Sequence, residues 1–327
     1  MDRSTDPGAA PLTLLHDHLD GGLRPATVIE LAAHAGVPRP AGITTAGALA
    51  DWFVVRPGES LAEVFARFDL PIRVMQTTEA LSRVAREAAE DVAADGVRSV
   101  EFRFAPTHHT AGGLSLDAVV EAVLAGLAGA PPEARVLLCS MRGERRTDEV
   151  VDLAGRWHGR GVVGVDLAGV EVGEPVGPHR SAFARARSMG LGVTLHAGEM
   201  VGAESVADAI VDDVPVRIGH VFRSVEDCRV RDGEIVDLGP TAAAVLDRRL
   251  PLEVCLTSNA ALGTPVERHP FLALARAGFA VTINTDNRTL TPCSLTSELA
   301  LARRLGATDD ELATMRSTAA GARFPDP

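Results

Sequence analysis

Residues 192–199 read GVTLHAGE, a short apolar run that ends in a histidine. Runs of the same form, rich in Val, Leu and Ile, recur along the chain and alternate with Ala- and Arg-rich stretches of helical spacing. Several runs are apolar throughout, which is typical of parallel strands covered on both faces. The pattern therefore predicts repeated strand–helix units. The predicted strands are residues 12–16, 97–104, 135–140, 161–167, 192–196, 216–219, 252–256 and 279–284.

Helix candidates lie between these strands. The clearest covers residues 77–94, where Thr77 or Thr78 can cap the first turn and Gly96 follows as a stop. Eight strands alternating with helices predict an α/β fold, a (β/α)8 barrel of the TIM type, whose core needs about 250 residues. An open doubly wound sheet is the alternative, but no G-x-G-x-x-G loop follows the first strand. The other predicted helices are residues 116–127, 148–160, 178–189, 205–211, 241–249 and 270–277.

The segment between the first two strands, about residues 21–94, is too long for one crossover helix. We expect extra helices there, for example over residues 26–35 and 61–68, and we expect them to form a lid over one end of the barrel. Because the sequence shows no internal repeat and no low-complexity linker, we expect residues 1–327 to form a single domain.

The composition excludes several classes of protein. Hydrophobic residues make up 46% of the 327 residues and charged residues 23%, which is typical of a packed globule rather than a disordered chain. A formal charge of −12 argues against nonspecific nucleic-acid binding. No apolar run is long enough for a transmembrane helix or a signal peptide. The four cysteines form no C-x-x-C pair, so we expect a cytoplasmic protein with reduced thiols and without a cysteine-based zinc site; its oligomeric state stays open.

Polar side chains stand at the ends of four predicted strands. His16 and His18 follow the first strand, and His196, His220 and Asp286 end three later ones. Residues two apart on a strand point the same way, so the first pair can face one site. Single strand-end histidines are often structural, but the C-terminal strand ends of a barrel converge on one pocket. Three imidazoles and a carboxylate are ligands that zinc accepts.

The chain resembles the adenosine deaminases of the amidohydrolase superfamily over about residues 14–303. The stretches that carry the resemblance are, in order, LLHDHLDGGLRPATV, DGVRSVEFRFAP, GVVGVDLAG, TLHAGE, RIGH, TSN and NTDN. The first and last of them are similar to the actinobacterial-type branch of the family. The resemblance implies zinc-dependent hydrolysis of adenosine, and of deoxyadenosine, with release of ammonia and inosine in purine salvage.

The resemblance also implies the roles of the polar residues in catalysis. Glu199 would protonate purine N1, because an uncharged ring resists attack, and His220 would help to take a proton from the attacking water. One zinc ion would be held, with a position left for water, by four ligands: His16, His18, His196 and Asp286.

For binding of the purine nucleoside, the resemblance implies four further contacts. Gly169 would donate its backbone N–H to purine N3, Asp20 would bind the ribose 5′-hydroxyl, and His18 would lie against the substrate. Asn287 would contact N7, where the commonest form of the motif has an aspartate. Since N7 accepts a hydrogen bond, an amide that donates at any pH keeps this function.

Three positions depart from the family pattern. Val221 follows His220 where glycine is usual, Leu256 replaces a proline, and Val170 replaces a polar residue. These departures leave open whether the substrate is adenosine or a modified adenine nucleoside such as methylthioadenosine. A non-catalytic nucleoside-binding barrel is a further alternative, although no expected metal ligand is missing. A two-metal site bridged by a carbamylated lysine is impossible, because the chain contains no lysine.

Overall fold

A computed structural model describes residues 10–56 and 58–326 of the chain. Eight parallel strands form a barrel in the order β1-β2-β3-β4-β5-β6-β9-β10, with helices around it, which confirms the predicted α/β barrel. The strands are β1 Thr13–His18, β2 Ser99–Phe104, β3 Glu133–Met141, β4 Val162–Ala168, β5 Gly192–Ala197, β6 Arg217–His220, β7 Arg229–Arg231, β8 Glu234–Asp237, β9 Leu252–Val254 and β10 Val281–Ile283. The hairpin β7–β8 lies outside the barrel.

The barrel closes through backbone hydrogen bonds between β1 and the NTDN motif that follows β10. The N–H of His18 donates to the carbonyl of Asp286 at 2.8 Å, and the N–H of Asp286 donates to the carbonyl of His16 at 3.0 Å. These two bonds join the end of β1 to the residues that follow β10. The closure therefore brings three of the predicted ligands together.

Helices surround the barrel, and those of the described residues are too short or too polar to cross a membrane. The α-helices are α1 Pro25–Ala35, α2 Ala46–Phe53, α3 Leu61–Val74, α4 Thr78–Ala94, α5 Leu116–Leu127, α6 Thr147–Trp157, α7 Arg180–Ser188, α8 Ala203–Ala209, α9 Pro240–Asp247, α10 Leu256–Ala261, α11 Phe271–Arg276, α12 Leu295–Arg304 and α13 Asp309–Gly321. Short 3-10 segments cover Leu19–Gly21, Pro106–His109, Gly177–His179, Phe222–Asp227 and Val266–Arg268.

Local sequence signals explain several helix boundaries. The hydroxyl of Thr77 accepts the N–H of Ala80, so α4 begins with the predicted N-cap. Four helices, α1 to α4, fill the segment between β1 and β2, as expected from its length. α4 packs tightly against α5 because residue 126 is a glycine: a Cβ there would lie 2.2 Å from the carbonyl oxygen of Ser82.

The structure also differs from the predicted boundaries. The predicted strand over residues 252–256 is too long, because β9 ends at Val254 and α10 begins at Leu256. The helix predicted over residues 61–68 continues to Val74, and α2, α10, α12, α13 and the hairpin β7–β8 were not predicted. Short, weakly periodic segments such as α10 carry little sequence signal, so tertiary packing decides them.

A buried network of charges fills the middle of the barrel. Glu253 accepts hydrogen bonds from Arg217 at 2.7 Å and from Arg103 at 2.9 Å, and a second amino group of Arg103 donates to Asp166 at 2.8 Å. All four side chains are at most 1% exposed. Because an unpaired buried charge is costly, this network fixes the positions of its members.

The carboxyl-terminal end of the described chain closes the barrel at the end opposite the candidate site. The ring of Phe324 lies 3.6 Å from the guanidinium carbon of Arg217, and its N–H donates to Glu101 at 2.6 Å. The ring occupies space left by Gly192, where a Cβ would lie 2.2 Å from it. A larger side chain at that position would therefore expel Phe324.

Candidate active site

The four predicted metal ligands meet at one point. One donor atom from each of His16, His18, His196 and Asp286 lies within 4.8 Å of every other. The Nε2 atoms of His18 and His196 are 3.2 Å apart, and the Nε2 atoms of His16 and His18 lie 3.5 Å and 3.4 Å from Asp286 Oδ1. The first two ligands come from β1, the third from β5 and the fourth from the loop after β10.

The surroundings of the histidines suit a metal ion. His16 Nδ1 donates to Glu253 at 2.9 Å and His196 Nδ1 donates to Asp166 at 3.1 Å, so the outer nitrogen of each ring carries a proton. The inner nitrogen of His16 is buried and has no hydrogen-bond partner among the described residues. Burial lowers the pKa of His18 to about 3, which keeps its imidazole neutral. Three imidazoles and one carboxylate fit a divalent metal ion, and zinc in particular.

Strained backbone occurs at the same end of the barrel. His220, Val221 and Asp286 have φ angles of 65°, 61° and 63°, in the left-handed region that non-glycine residues rarely adopt. Such conformations cost of order 1–3 kcal/mol each and persist where the surrounding structure determines them. At Val221 the family's usual glycine would relieve the strain, so this departure acts on the backbone beside His220.

Glu199 lies in the loop after β5, and its side chain is only 8% exposed. Burial, together with the nearby charges of Asp286 and Glu171, raises the pKa of Glu199 well above its usual value. Its Oε1 accepts a hydrogen bond from Asn259 Nδ2 at 3.3 Å. The raised pKa favours the protonated carboxyl, which is the form that a proton donor needs.

Glu171 holds the loop that carries Glu199, a role that the sequence did not reveal. Its carboxylate accepts the backbone N–H groups of Met200 at 3.1 Å and Val201 at 2.8 Å. The residue is buried, and it stands two positions after Gly169. An acidic residue so close to the Gly169 turn was the available signal, but carboxylates in loops are common.

Two polar residues of the TSN motif, Ser258 and Asn259, support the site, although the sequence assigned them no role. Ser258 donates its hydroxyl to Asp286 Oδ2 at 2.5 Å, which fixes the carboxylate. Asn259 Nδ2 lies 3.0 Å from His220 Nδ1, at the end of β6. Burial of the ring lowers the pKa of His220 well below its usual value, so this imidazole is also neutral.

The residues predicted to bind substrate line the same cavity, which has a volume of about 270 Å³. His18, Asp20, Gly169 and Asn287 are among its lining residues. Gly169 has a φ of 97°, which a side chain would disfavour. The amide nitrogen of Asn287 donates to Asp286 Oδ1 at 2.7 Å, so one of its two hydrogens stays available for a ligand.

The remaining wall of the cavity is apolar. The inserted segment contributes Val55, Val64, Phe68 and Ile72, and Leu290 completes this side. None of the three departures, Val170, Val221 and Leu256, is among the described residues that line the cavity.

Comparison with known proteins agrees with this geometry. A sequence profile of the adenosine deaminase family matches residues 11–326. The chain is 43% identical over 302 residues to an adenosine deaminase of Mycobacterium marinum, covering 89% of this chain and 83% of that protein. Among solved structures, an Arabidopsis N6-mAMP deaminase is 30% identical with a TM-score of 0.80, covering 97% of this chain and 94% of that one. Arabidopsis ADAL in complex with IMP is 29% identical with a TM-score of 0.79, covering 97% and 93%.

Proposed function

Because this chain belongs to the adenosine deaminase family, a family of hydrolytic deaminases, we propose that it converts adenosine and water to inosine and ammonia with the aid of one zinc ion. A single observation carries the proposal: the donor atoms of three imidazoles and a carboxylate converge beside the buried carboxyl of Glu199, whose pKa is raised. Replacement of the amino group at purine C6 needs both the metal ligands and the proton donor.

The metal would be held by His16, His18, His196 and Asp286. When bound, zinc supplies a Lewis acid that makes water acidic enough to attack at neutral pH. Glu253 and Asp166 orient two of the imidazoles through their outer nitrogens, and Ser258 orients the carboxylate. These contacts leave the inner nitrogens facing the ion.

Glu199 would give its proton to purine N1 as oxygen adds to C6, so that the ring never carries the developing negative charge. Such a proton transfer typically contributes 10²–10⁴-fold to the rate. The other ring contacts come from the backbone N–H of Gly169 at N3 and from the Asn287 amide at N7. His220 would contact the attacking water.

The charges of the cavity favour a nucleoside over a nucleotide. The carboxylates of Asp20 and Asp286 line it, whereas no arginine does so in the part of the chain that the structure describes. His108 also lines it, and its Nε2 lies 3.0 Å from a further carboxylate, that of Glu144. A 5′-phosphate would face these carboxylates without a countercharge, and like charges in contact cost several kcal/mol. The IMP complex of the Arabidopsis neighbour therefore does not transfer to this chain.

A modified adenine nucleoside is the second candidate substrate. The observation that favours it is the apolar wall formed by Val55, Val64, Phe68 and Ile72, which suits an uncharged substituent on the ribose or on the amino group. We propose further that the inserted segment, residues 21–94, forms a lid that excludes water during the reaction.

The test is a substrate panel with protein of measured zinc content. We expect turnover of adenosine and deoxyadenosine, which is measured as the loss of adenine absorbance. We expect kcat/KM for AMP to be at least about 10²-fold lower than for adenosine. Chelation should abolish turnover and added zinc should restore it. Faster turnover of methylthioadenosine would select the second candidate. Zinc-loaded protein that turns over no aminopurine would leave a non-catalytic binding protein.

Glu199→Gln separates proton donation from metal binding. Because Glu199 is not among the metal ligands, the variant should keep its zinc and lose at least about 10²-fold in kcat. A variant with more than about a tenth of the wild-type rate would show that Glu199 is not the acid.

A further inference from the structure

A chain of buried hydrogen bonds runs from a backbone amide to the two proposed catalytic side chains. The N–H of Phe271 donates to His269 Nδ1 at 3.2 Å. His269 Nε2 lies 3.1 Å from Asn259 Oδ1. Asn259 Nδ2 then lies 3.0 Å from His220 Nδ1 and 3.3 Å from Glu199 Oε1. Asn259 is fully buried and His269 is 7% exposed, so water does not compete with these bonds.

The backbone amide fixes the direction of every bond in this chain. A backbone N–H can only donate, so His269 Nδ1 must accept and cannot carry a proton. Burial lowers the pKa of His269 to about 3, so its neutral ring carries its single proton on Nε2. That proton is donated to the oxygen of Asn259. The orientation of the Asn259 amide, which distances alone leave ambiguous, follows from this step.

The other end of the amide determines where the proton of His220 stands. Both hydrogens of Asn259 Nδ2 are directed at acceptors, one at His220 Nδ1 and one at Glu199 Oε1. The neutral His220 ring therefore has its proton on Nε2, the nitrogen that remains for the cavity. The amide group of Asn259 also bridges His220 Nδ1 and Glu199 Oε1, which lie 3.4 Å apart, so that each of them pairs with the amide.

We propose that Asn259 and His269 are positioning residues that hold His220 in its Nε2–H form. With its proton on Nε2, His220 donates a hydrogen bond to the attacking oxygen. The proton that this water loses passes to the Glu199 carboxylate, which can take it once its own proton has gone to purine N1. This role of His220 differs from the one that the family resemblance implies. The catalytic meaning of this arrangement rests on the proposed deaminase function, but the arrangement of protons does not.

The proton positions can be measured without any reaction. Long-range ¹H–¹⁵N correlation spectra distinguish Nε2–H from Nδ1–H imidazole, and the His220 signals are identified by their loss in His220→Gln. We expect Nε2–H for His220 in the wild-type protein and loss of this preference in Asn259→Asp, where a carboxylate oxygen replaces the donor. A wild-type spectrum with the proton on Nδ1 would overturn the proposal, whether or not any variant folds.

Kinetics of a matched pair test His269. His269→Gln keeps a donor for the Asn259 oxygen, whereas His269→Phe keeps the ring and removes the donor. We expect kcat to fall on the order of 10-fold or more in the Phe variant, with KM and zinc content little changed, and to recover in the Gln variant. Equal effects of both variants on kcat and on thermal stability would mean that His269 only packs.

These outcomes separate the two proposals. The expected tautomer in a protein without deaminase activity would leave the hydrogen-bond chain intact and remove the proposed function. Deaminase activity together with the opposite tautomer would remove only the positioning role.

Discussion

The network at the centre of the barrel predicts that Glu253→Gln destabilises the protein strongly. Glu253 accepts four hydrogen bonds: Oε1 from Arg217 at 2.7 Å and Thr194 at 3.1 Å, and Oε2 from Arg103 and His16, both at 2.9 Å. A glutamine would place an NH₂ group where one of these oxygens stands. The hydrogens of that group would then face the donors of Arg217 and Thr194, or those of Arg103 and His16. Two charge-influenced bonds at about 1.5–3 kcal/mol each give roughly 3–6 kcal/mol, in line with about 3–5 kcal/mol for breaking a buried ion pair.

The free energy of unfolding of the metal-free protein in urea measures this cost. Glu121→Gln on the exposed face of α5 makes the same chemical change without buried partners and should alter stability by less than about 0.5 kcal/mol. Because Glu253 also orients His16, zinc affinity of the variant should fall about 10–100-fold in a chelator competition. A loss below about 1 kcal/mol with unchanged zinc affinity would refute the view that this carboxylate organises the site.

Two further predictions concern the proposed proton donor, Glu199, and the ring of Phe324 at the opposite end of the barrel. Glu199 acts in its protonated form, so kcat should fall as pH rises through its pKa. Glu171→Gln removes a neighbouring negative charge and makes proton loss from Glu199 easier. The variant should therefore move the alkaline limb of the pH–rate profile to lower pH. A limb that stays in place would contradict the charge effect. Phe324→Ala empties the space over Gly192 and should cost about 3–5 kcal/mol in urea unfolding, while Val236→Ala at a site 48% exposed should change little.

The barrel could be predicted because its signals are local. Apolar runs such as 161–167 and 192–196 identify buried parallel strands, and the second of them ends in His196, one of the predicted metal ligands. Residues two apart on β1 share a face whatever the rest of the chain does. The predicted helix over residues 116–127 coincides with α5, because its apolar periodicity and Ser115 cap lie within one continuous segment.

The residues that support the site could not be predicted in this way. Glu253, Asp166 and Arg103 read as polar interruptions in apolar strands, and nothing in their neighbourhood shows that they meet inside the barrel. Glu171 and His269 are ordinary loop residues until the fold brings them to the loop of Glu199 and to Asn259.

The sequence by itself determined the strand–helix repeat and which side chains stand at the strand ends, since both follow from periodicity over a few residues. Only the tertiary structure decided how those side chains are oriented and where their protons lie. That depends on hydrogen-bond partners far apart along the chain, such as Glu253 for His16 and Asn259 for His220, which meet only when the barrel closes.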